Sequence, residues 1–113
     1  MRKFTTLFLE DANVFIESLD QKSAVKLLFV IDVAEQTHDP KLFKKLNEEI
    51  WEFRSKYLGK QNRLLAFWDK NDSELTLEIA THGFIKKTRK TPSKELLKAE
   101  KLRQLYFSNK SNK

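Results

Sequence analysis

The pattern of apolar and polar positions in the first third of the chain predicts one strand followed by two helices. Residues 2–9 are rich in aromatic and β-branched side chains, which is typical of a strand. One helix follows Asp11, its candidate N-cap, and a second follows Asp20, which can cap it. The helical spacing is carried by Ala12, Phe15, Ile16 and Leu19 in the first helix, and by Ala24, Leu27, Leu28, Ile31 and Ala34, widened by Phe29, Val30 and Val33, in the second. The second helix is therefore predicted to be the most buried helix of the chain.

Farther along, the period of the pattern changes from that of a helix to that of a strand. Asp39 followed by Pro40 is a helix-start signal, which predicts a short helical turn through Leu46. From residue 50, apolar and polar side chains alternate, with Trp51, Phe53 and Tyr57 on one face and Glu52, Arg54 and Lys56 on the other. Residues 63–69 and 75–82 predict two more strands, separated by polar turns, so the three strands form an antiparallel meander.

The last strand and the C-terminal helix complete the predicted order of elements. In the last strand Leu75, Leu77 and Ile79 share one face, and Thr76, Glu78, Ala80 and His82 form an opposite, polar face open to chemistry. Thr91-Pro92 opens a helix whose buried stripe comprises Leu96, Ala99, Leu102 and Leu105. The order β, α, α, helical turn, βββ, α predicts an α+β layer fold. With 113 residues, we expect one domain over residues 1–107 and a frayed basic tail over residues 108–113.

Composition excludes several kinds of active site. The chain has no Cys, which excludes a disulfide scaffold, a cysteine zinc site and a thiolate nucleophile. Two glycines are too few for a phosphate-cradling loop or a dinucleotide fingerprint. Asp69, Asn71 and Ser73 resemble a calcium loop only superficially, since the glycine and distal glutamate are missing, and we interpret them as a hairpin turn. With two histidines, we predict no metal and no cofactor.

The distribution of hydropathy indicates a cytoplasmic protein. The longest apolar run, residues 27–31, has five residues, whereas a membrane span needs about 20. The basic and briefly apolar start is interrupted by Glu10 and Asp11 before a secretion signal can form. We therefore expect no membrane association.

Positive charge is concentrated in the second half of the chain. Residues 1–53 carry a net charge of −3, and residues 54–113 carry +9. A cationic half of a small protein attracts phosphate groups of nucleic acids. The same charge asymmetry could also serve only to keep the folded protein soluble. The candidate phosphate ligands are Arg54, Lys56, Arg63, Lys86, Lys87, Arg89 and Lys90. For Arg54 the alternative is a surface ion pair with Glu52 or Glu78, which spacing alone favours.

Three short motifs add a family resemblance to this pattern. Residues 81–93 read THGFIKKTRKTPS, residues 51–54 read WEFR, and residues 62–65 read NRLL. Together with KKL at residues 44–46, they resemble the RelE/ParE toxin superfamily and its HigB-like, phage-derived branch. The resemblance covers nearly the whole chain, and the segment from His82-Gly83-Phe84 to Thr91-Pro92 is its specific part. It implies a RelE-like fold.

The resemblance implies the toxin of a type II toxin–antitoxin pair, a metal-independent endoribonuclease that cleaves mRNA, in many relatives on the ribosome. Arg54 and Arg63 match the positions of phosphate clamps and transition-state stabilisers. Lys87 or Lys86 contacts the scissile phosphate or exchanges a proton, and His82 is a further acid–base candidate, although a lone strand histidine is more often structural. The family resemblance also implies a small helix-turn-helix antitoxin as the partner of this protein.

The remaining residues of the resemblance concern RNA binding. Lys56, Lys86, Arg89 and Lys90 are expected to attract the RNA backbone, and Phe67 to stack on a base. Core packing is the favoured interpretation for Phe84 and Trp68. The chain departs from many relatives at Ala66, where an aromatic residue, often Tyr, is common, so a catalytic tyrosine is not supported.

Two other functions remain open on the same fold. ParE-type relatives poison DNA gyrase by binding, without catalysis, and a basic protein of this kind could also bind nucleic acid without cleaving it. Clustered phosphate ligands favour the nuclease, because a protein–protein inhibitor does not need them.

Overall fold

A five-stranded mixed sheet with helices on both faces forms the body of the molecule. The structure is a computed structural model that describes residues 3–37, 39–70 and 77–111. The elements in chain order are β1 (Thr5–Phe8), α1 (Glu10–Ser18), α2 (Gln21–Thr37), β2 (Phe43–Lys45), β3 (Trp51–Tyr57), β4 (Lys60–Asp69), β5 (Leu77–Lys86) and α3 (Ser93–Ser111).

The strand order in the sheet is β1-β5-β4-β3-β2. β1 lies parallel to β5, and every other neighbouring pair is antiparallel. The predicted meander is β3–β4–β5, and the predicted α+β class is confirmed. The turn between β3 and β4 has two residues, Leu58 and Gly59, both with positive φ. Because the turn is this short, β4 begins at Lys60, three residues earlier than expected.

The two faces of the sheet bury separate apolar cores. On the face covered by α1 and α2, Phe43 stacks on Phe53 with ring centroids 4.6 Å apart, and both pack with Leu27 and Phe4. On the other face, Ala99 of α3 packs with the fully buried sheet residues Leu65, Phe67 and Ile79. The predicted core positions of Trp68 in the first cluster and Phe84 in the second are confirmed.

The segment after α2 is a strand, so the helical turn predicted through Leu46 is wrong. The carbonyl oxygen of Asp39 accepts the amides of Leu42 and Phe43, which makes one tight turn. The chain then extends, because Phe43 pairs with Phe53 in the register of β2 and β3. Cross-strand packing of aromatic rings has overridden the local helix-start signal.

The starts and faces of the helices differ in part from the expectation. Asp20 caps α2 as predicted, since its carboxylate accepts the amide and the hydroxyl of Ser23 at 2.8 and 2.9 Å. Asp11 is not an N-cap, because α1 begins at Glu10 with Leu9 as the cap residue. In α2, Leu28 and Phe29 are exposed instead of buried.

β5 contains a bulge that changes which side chains share a face. His82 pairs with Leu65, and Ala80 pairs with Ala66, so Thr81 is an extra residue in the ladder. His82 consequently lies on the α3 side with Ile79 and not with Glu78. The expected polar face open to chemistry is therefore wrong, because Glu78 and His82 are both buried.

The C-terminal helix is longer than its sequence pattern indicates. α3 runs through Ser111, which takes in residues 108–111 of the predicted tail. Both the hydroxyl of Tyr106 and the ammonium of Lys110 donate to the buried carboxylate of Asp69 at 2.6 Å. Leu105 of the predicted stripe is 51% exposed, and Tyr106 and Phe107 pack on Phe67 instead. The hairpin turn that includes Asn71 and Ser73 lies outside the described residues.

Candidate functional site

A cleft of about 300 Å³ opens between the α3 face of the sheet and the segment that leads into α3. We call it the basic cleft. It is lined by Lys44, Leu46, Glu52, Arg54, Lys86, Arg89, Lys90, Thr91 and Leu96. Five of these side chains are cations and one is a carboxylate, which makes the cleft suited to a phosphate-bearing ligand.

The cleft follows from strand alternation and register. Lys44 pairs with Glu52, and Arg54 pairs with Arg63. Since side chains opposite one another share a face, the polar positions of β2 and β3 lie on the same side as α3. α3 packs on the part of that face that contains Leu65, which leaves the end of β3 near Arg54 open.

Glu52 is a buried carboxylate on the floor of the basic cleft. Its side chain is 2% exposed, with Oε2 3.6 Å from Arg54 Nε and Oε1 3.7 Å from Arg63 Nε. The hydroxyl of Thr91 donates to Oε1 at 2.8 Å. Glu52 thus joins the two arginines to the segment before α3. The ion pair considered for Arg54 in the sequence is present with Glu52, while Glu78 lies on the other face of the sheet.

The two candidate arginines differ in access. The side chain of Arg54 is 29% exposed and lines the cleft. The side chain of Arg63 is 6% exposed, and its terminal nitrogens donate to Gln61 Oε1 at 2.7 Å and to the carbonyl of Asn62 at 3.3 Å. Burial lowers the pKa of Arg63, with Glu52 opposing this effect. Arg54 can bind a ligand in the basic cleft directly, whereas Arg63 is not among the residues that line this cleft and can affect a ligand there only through its charge.

Of the two adjacent lysines, Lys86 lines the basic cleft and the exposed Lys87 does not. Burial is the main cause of the lowered pKa of Lys86. The charges of Arg63, Arg54 and Lys44 lower it further, and that of Glu52 raises it. A lysine whose pKa is lowered in this way is better suited to exchange a proton at neutral pH.

His82 is buried against the first turn of α3 and is not among the residues that line the basic cleft. Its Nε2 lies 3.0 Å from Glu95 Oε1, and its Nδ1 lies 3.1 Å from Thr81 Oγ1. Burial lowers the pKa of His82 against the effect of the Glu95 hydrogen bond. Both ring nitrogens therefore have partners within the protein.

The residues considered for RNA binding fall into three groups. Arg89 and Lys90 line the basic cleft and are exposed. Lys56 is exposed at the end of β3, and the register places it in line with Gln61 and Lys86. Phe67 is completely buried under α3, so it cannot stack on a base in this conformation.

Sequence reasoning missed three polar residues of the cleft as site residues, namely Lys44, Glu52 and Thr91. All three belong to motifs that carry the family resemblance, but the resemblance implies no role for them. Alternation puts Glu52 on the same face as Arg54, yet nothing in the pattern shows that this carboxylate is buried.

Two features are absent from residues 3–37, 39–70 and 77–111, namely a metal-binding cluster and a membrane-spanning helix. No group of three or more His, Asp or Glu side chains in that part of the chain could hold a metal ion. No helix there is both long and apolar enough to cross a membrane.

Comparison with known proteins assigns the chain to a family. The family described as phage derived protein Gp49-like (DUF891) matches residues 14–104, which include α2, all the strands from β2 to β5 and every residue that lines the basic cleft. No curated protein matches the sequence. Because the match covers most of the chain, the protein belongs to the Gp49-like family of phage-derived proteins, which is a family of toxins.

Proposed function

We propose that this chain is the toxin of a type II toxin–antitoxin pair in the RelE/ParE superfamily, close to its HigB-like branch, and that it cleaves mRNA as a metal-independent endoribonuclease. The observation that carries the proposal is the convergence of Arg54, Lys86, Arg89 and Lys90 on one cleft next to a buried carboxylate. The basic cleft also places a buried carboxylate and a hydroxyl next to these cations, which is a set of groups that a reaction at a phosphate can use.

The proposed reaction is attack of a ribose 2′-hydroxyl on the adjacent 3′ phosphate. The 2′ oxygen forms a bond to phosphorus and loses its proton to an acceptor, while the bond to the 5′ oxygen breaks and that oxygen gains a proton. The products are a 2′,3′-cyclic phosphate and a free 5′-hydroxyl. The protein must align the three atoms, stabilise the negative charge of the transition state and move two protons.

The side chains of the basic cleft can perform these tasks. Arg54 offers an exposed guanidinium to the phosphate oxygens, and Arg63 adds positive charge from behind. We assign proton exchange to Lys86, and we assign attraction of the RNA backbone to Lys56, Lys87 and the exposed pair Arg89 and Lys90. His82 and Phe67 are left out of this set because they are buried. Glu52 is a positioning residue that holds Arg54 and Thr91.

The proposed partners are mRNA on the ribosome and a helix-turn-helix antitoxin that neutralises the toxin. Both would be met in the cytoplasm. The antitoxin follows from membership in a toxin family.

The test is cleavage of mRNA in EDTA, free and on programmed ribosomes, with ends mapped by primer extension. Wild type is compared with Arg54→Ala and with Lys101→Ala, an exposed lysine of α3 outside the cleft whose loss removes the same charge. We expect cleavage by wild type and Lys101→Ala and at least a 100-fold loss in Arg54→Ala, as for loss of a transition-state ligand.

Other outcomes point to the other functions on this fold. Growth arrest without cleavage in either setting would refute the nuclease and point to gyrase. Salt-dependent RNA binding without cleavage or growth arrest would indicate a nucleic-acid-binding protein. Cleavage only on ribosomes would identify the translated message as the substrate.

A further inference from the structure

A second surface lies where α2 meets the open edge of β3. There, a groove of about 520 Å³ runs from Phe29 and Val33 of α2 to Ser55 and Arg54 of β3. A depression of about 580 Å³ adjoins it on the other side of Phe29 and reaches Tyr57. Phe29 and Lys26 line both, so the two form one continuous surface, which we call the α2 groove.

The outer face of α2 is apolar where a solvated helix would be polar. Val25 and Phe29, one turn apart, are each 59% exposed, and Val33 continues the same row into the groove. Leu42 lines the opposite wall. A contiguous apolar row beside a groove is typical of a surface that a partner covers, unlike single apolar residues scattered over a surface.

Buried polar groups without partners lie along the floor of the α2 groove. Ser55 lines the groove, and its hydroxyl has no hydrogen bond within the described part of the chain. Asn62 lies directly opposite Ser55 in the β3–β4 register, is completely buried, and has neither its amide oxygen nor its amide nitrogen bonded there. These side-chain atoms are shielded from solvent beneath the groove, so they leave unsatisfied hydrogen-bonding capacity in the protein interior there.

The charge of the α2 groove has one sign. Its cations are Lys22, Lys26, Lys41, Arg54, Lys56 and Arg63. Among the described residues that line it, none is an aspartate or a glutamate. A partner that fits must therefore combine apolar anchors with negative charge.

We propose that the α2 groove is the docking site of an acidic amphipathic helix of the antitoxin. Apolar side chains one turn apart on that helix pack against Val25 and Phe29, and its carboxylates pair with Lys26, Lys41 and Arg54. Protein is favoured over RNA because most of the apolar lining is aliphatic, with Val25, Val33 and Leu42 beside the two rings of Phe29 and Tyr57, and aliphatic side chains offer a nucleic acid no stacking surface.

Docking at this site has a consequence for the basic cleft. Arg54 lines both the α2 groove and the basic cleft. A carboxylate that pairs with Arg54 from the groove competes with RNA phosphate for the same guanidinium. The antitoxin would then weaken RNA binding without filling the basic cleft.

The experiment measures binding of the separately purified antitoxin, encoded beside this chain, by titration calorimetry. Every toxin variant also carries Lys86→Ala. This substitution lies outside the groove and removes the lysine proposed to exchange a proton, so that the protein can be expressed without arresting growth. Phe29→Glu is compared with Leu97→Glu, a 71% exposed leucine on α3. Both variants place a carboxylate at an exposed apolar position, and circular dichroism checks that both are folded. We expect Phe29→Glu to weaken binding roughly 30-fold or more, the loss of a central anchor, and Leu97→Glu to leave it unchanged.

The proposal rests on the proposed function only for the identity of the partner, and binding is measured without cleavage. Unchanged affinity in Phe29→Glu, or no binding by the Lys86→Ala parent, would overturn the docking site. A parallel titration with a labelled 2′-O-methyl RNA, which cannot be cleaved, tests whether RNA and not the antitoxin occupies the groove. Loss of RNA affinity in Phe29→Glu with antitoxin binding intact would make the groove an RNA surface and refute the proposal. Normal docking by a chain that never cleaves mRNA would refute the nuclease alone.

Discussion

The turn between β3 and β4 contains the residue with the least favourable backbone conformation. Leu58 has a φ of 50°, the left-handed region, and is followed by Gly59 with a φ of 80°. Its side chain is 84% exposed, so it gains little from packing. Two-residue hairpin turns of this kind favour Asn followed by Gly.

Leu58→Asn is therefore expected to stabilise the protein. The left-handed conformation costs a branched residue about 1 kcal/mol more than it costs Asn, and we expect a gain of that order in the free energy of unfolding, measured in urea. Leu97→Asn, at an exposed position of α3, is the matched control and should lower stability by a few tenths of a kcal/mol, since Asn is a weaker helix former. An unchanged or lower stability in Leu58→Asn would contradict the assignment of strain to this turn.

Glu52→Gln tests the positioning role within the basic cleft. Gln has the same size and can accept the hydrogen bond from Thr91, but it lacks the charge that faces Arg54 and Arg63. We expect tighter binding of uncleavable RNA, because one negative charge has left a cationic cleft, together with a fall in kcat of roughly 10-fold or more, because Arg54 loses its anchor.

The control for Glu52→Gln is Glu49→Gln, which removes an exposed carboxylate from the loop before β3. Both parameters should stay near wild type in that variant. A parallel loss of RNA affinity and kcat in Glu52→Gln would indicate a damaged fold and contradict the positioning role.

Residue types and spacing predicted part of the candidate site. Alternation along β3 and the family resemblance singled out Arg54 and placed it on the face opposite Phe53, where it lies. They could not tell Lys86 from Lys87, because the choice depends on where β5 ends. Nor could they show that Arg63 is buried, since burial of a charge depends on packing that brings Glu52 close to it.

At the scale of secondary-structure elements, close packing of α1 on β5 depends on one glycine. The Cβ of any larger residue at position 83 would overlap the ring of Phe15. Phe15 packs against the core on the α1 and α2 side of the sheet. Gly83 is therefore required for this contact and not for backbone freedom.

Gly83→Ala is expected to lower the free energy of unfolding by about 1–3 kcal/mol, since the ring of Phe15 must move out of a packed core. Urea denaturation gives the value, and the double variant Gly83→Ala, Phe15→Ala tests the cause. If the overlap is responsible, adding Gly83→Ala to Phe15→Ala should cost less than adding it to wild type. Equal costs in both backgrounds would show that Phe15 is not the obstacle.

Two elements could not be predicted for physical reasons. β2 has three residues and no periodicity of its own, and it is a strand only because Phe43 finds Phe53 across the sheet. The bulge at Thr81 leaves no local signal, yet it turns His82 to the other face. By contrast, α2 has 17 residues with an apolar stripe at helical spacing and β3 alternates over seven residues, which is why the sequence predicted them.

At the scale of the whole molecule, the sheet separates two charged surfaces that meet at Arg54. The basic cleft lies on the α3 side, and the α2 groove follows the opposite side around the open edge of β3. β2 begins at Phe43, which pairs with Phe53, and the carbonyl of Leu42 accepts the amide of Arg54, so the edge of β3 beyond Arg54 has no strand partner among the described residues. A single short edge strand thus gives Arg54 access to both surfaces.

The stability of the whole molecule carries a pH dependence that originates in Glu78. Glu78 is completely buried on the α1 and α2 side, and neither carboxylate oxygen has a hydrogen bond among the described residues. Burial raises its pKa well above the ordinary 4.5, with Lys70 opposing this effect. The folded protein therefore keeps a proton at a pH where the unfolded chain has lost it. Because the folded state binds more protons than the unfolded state, the free energy of unfolding falls as pH rises above 4.5, by at most about 1.4 kcal/mol per pH unit.

Glu78→Gln removes this titration and should stabilise the protein increasingly as pH rises from 4.5 to neutral. His82 has the opposite effect: its lowered pKa means that stability is lost as pH falls through 6.5. Because His82 lies on the other side of the sheet and is present in both proteins, the difference between wild type and variant isolates Glu78. Urea unfolding of both proteins across this range measures that difference. A difference that stays constant with pH would mean that Glu78 is ionised in the folded protein.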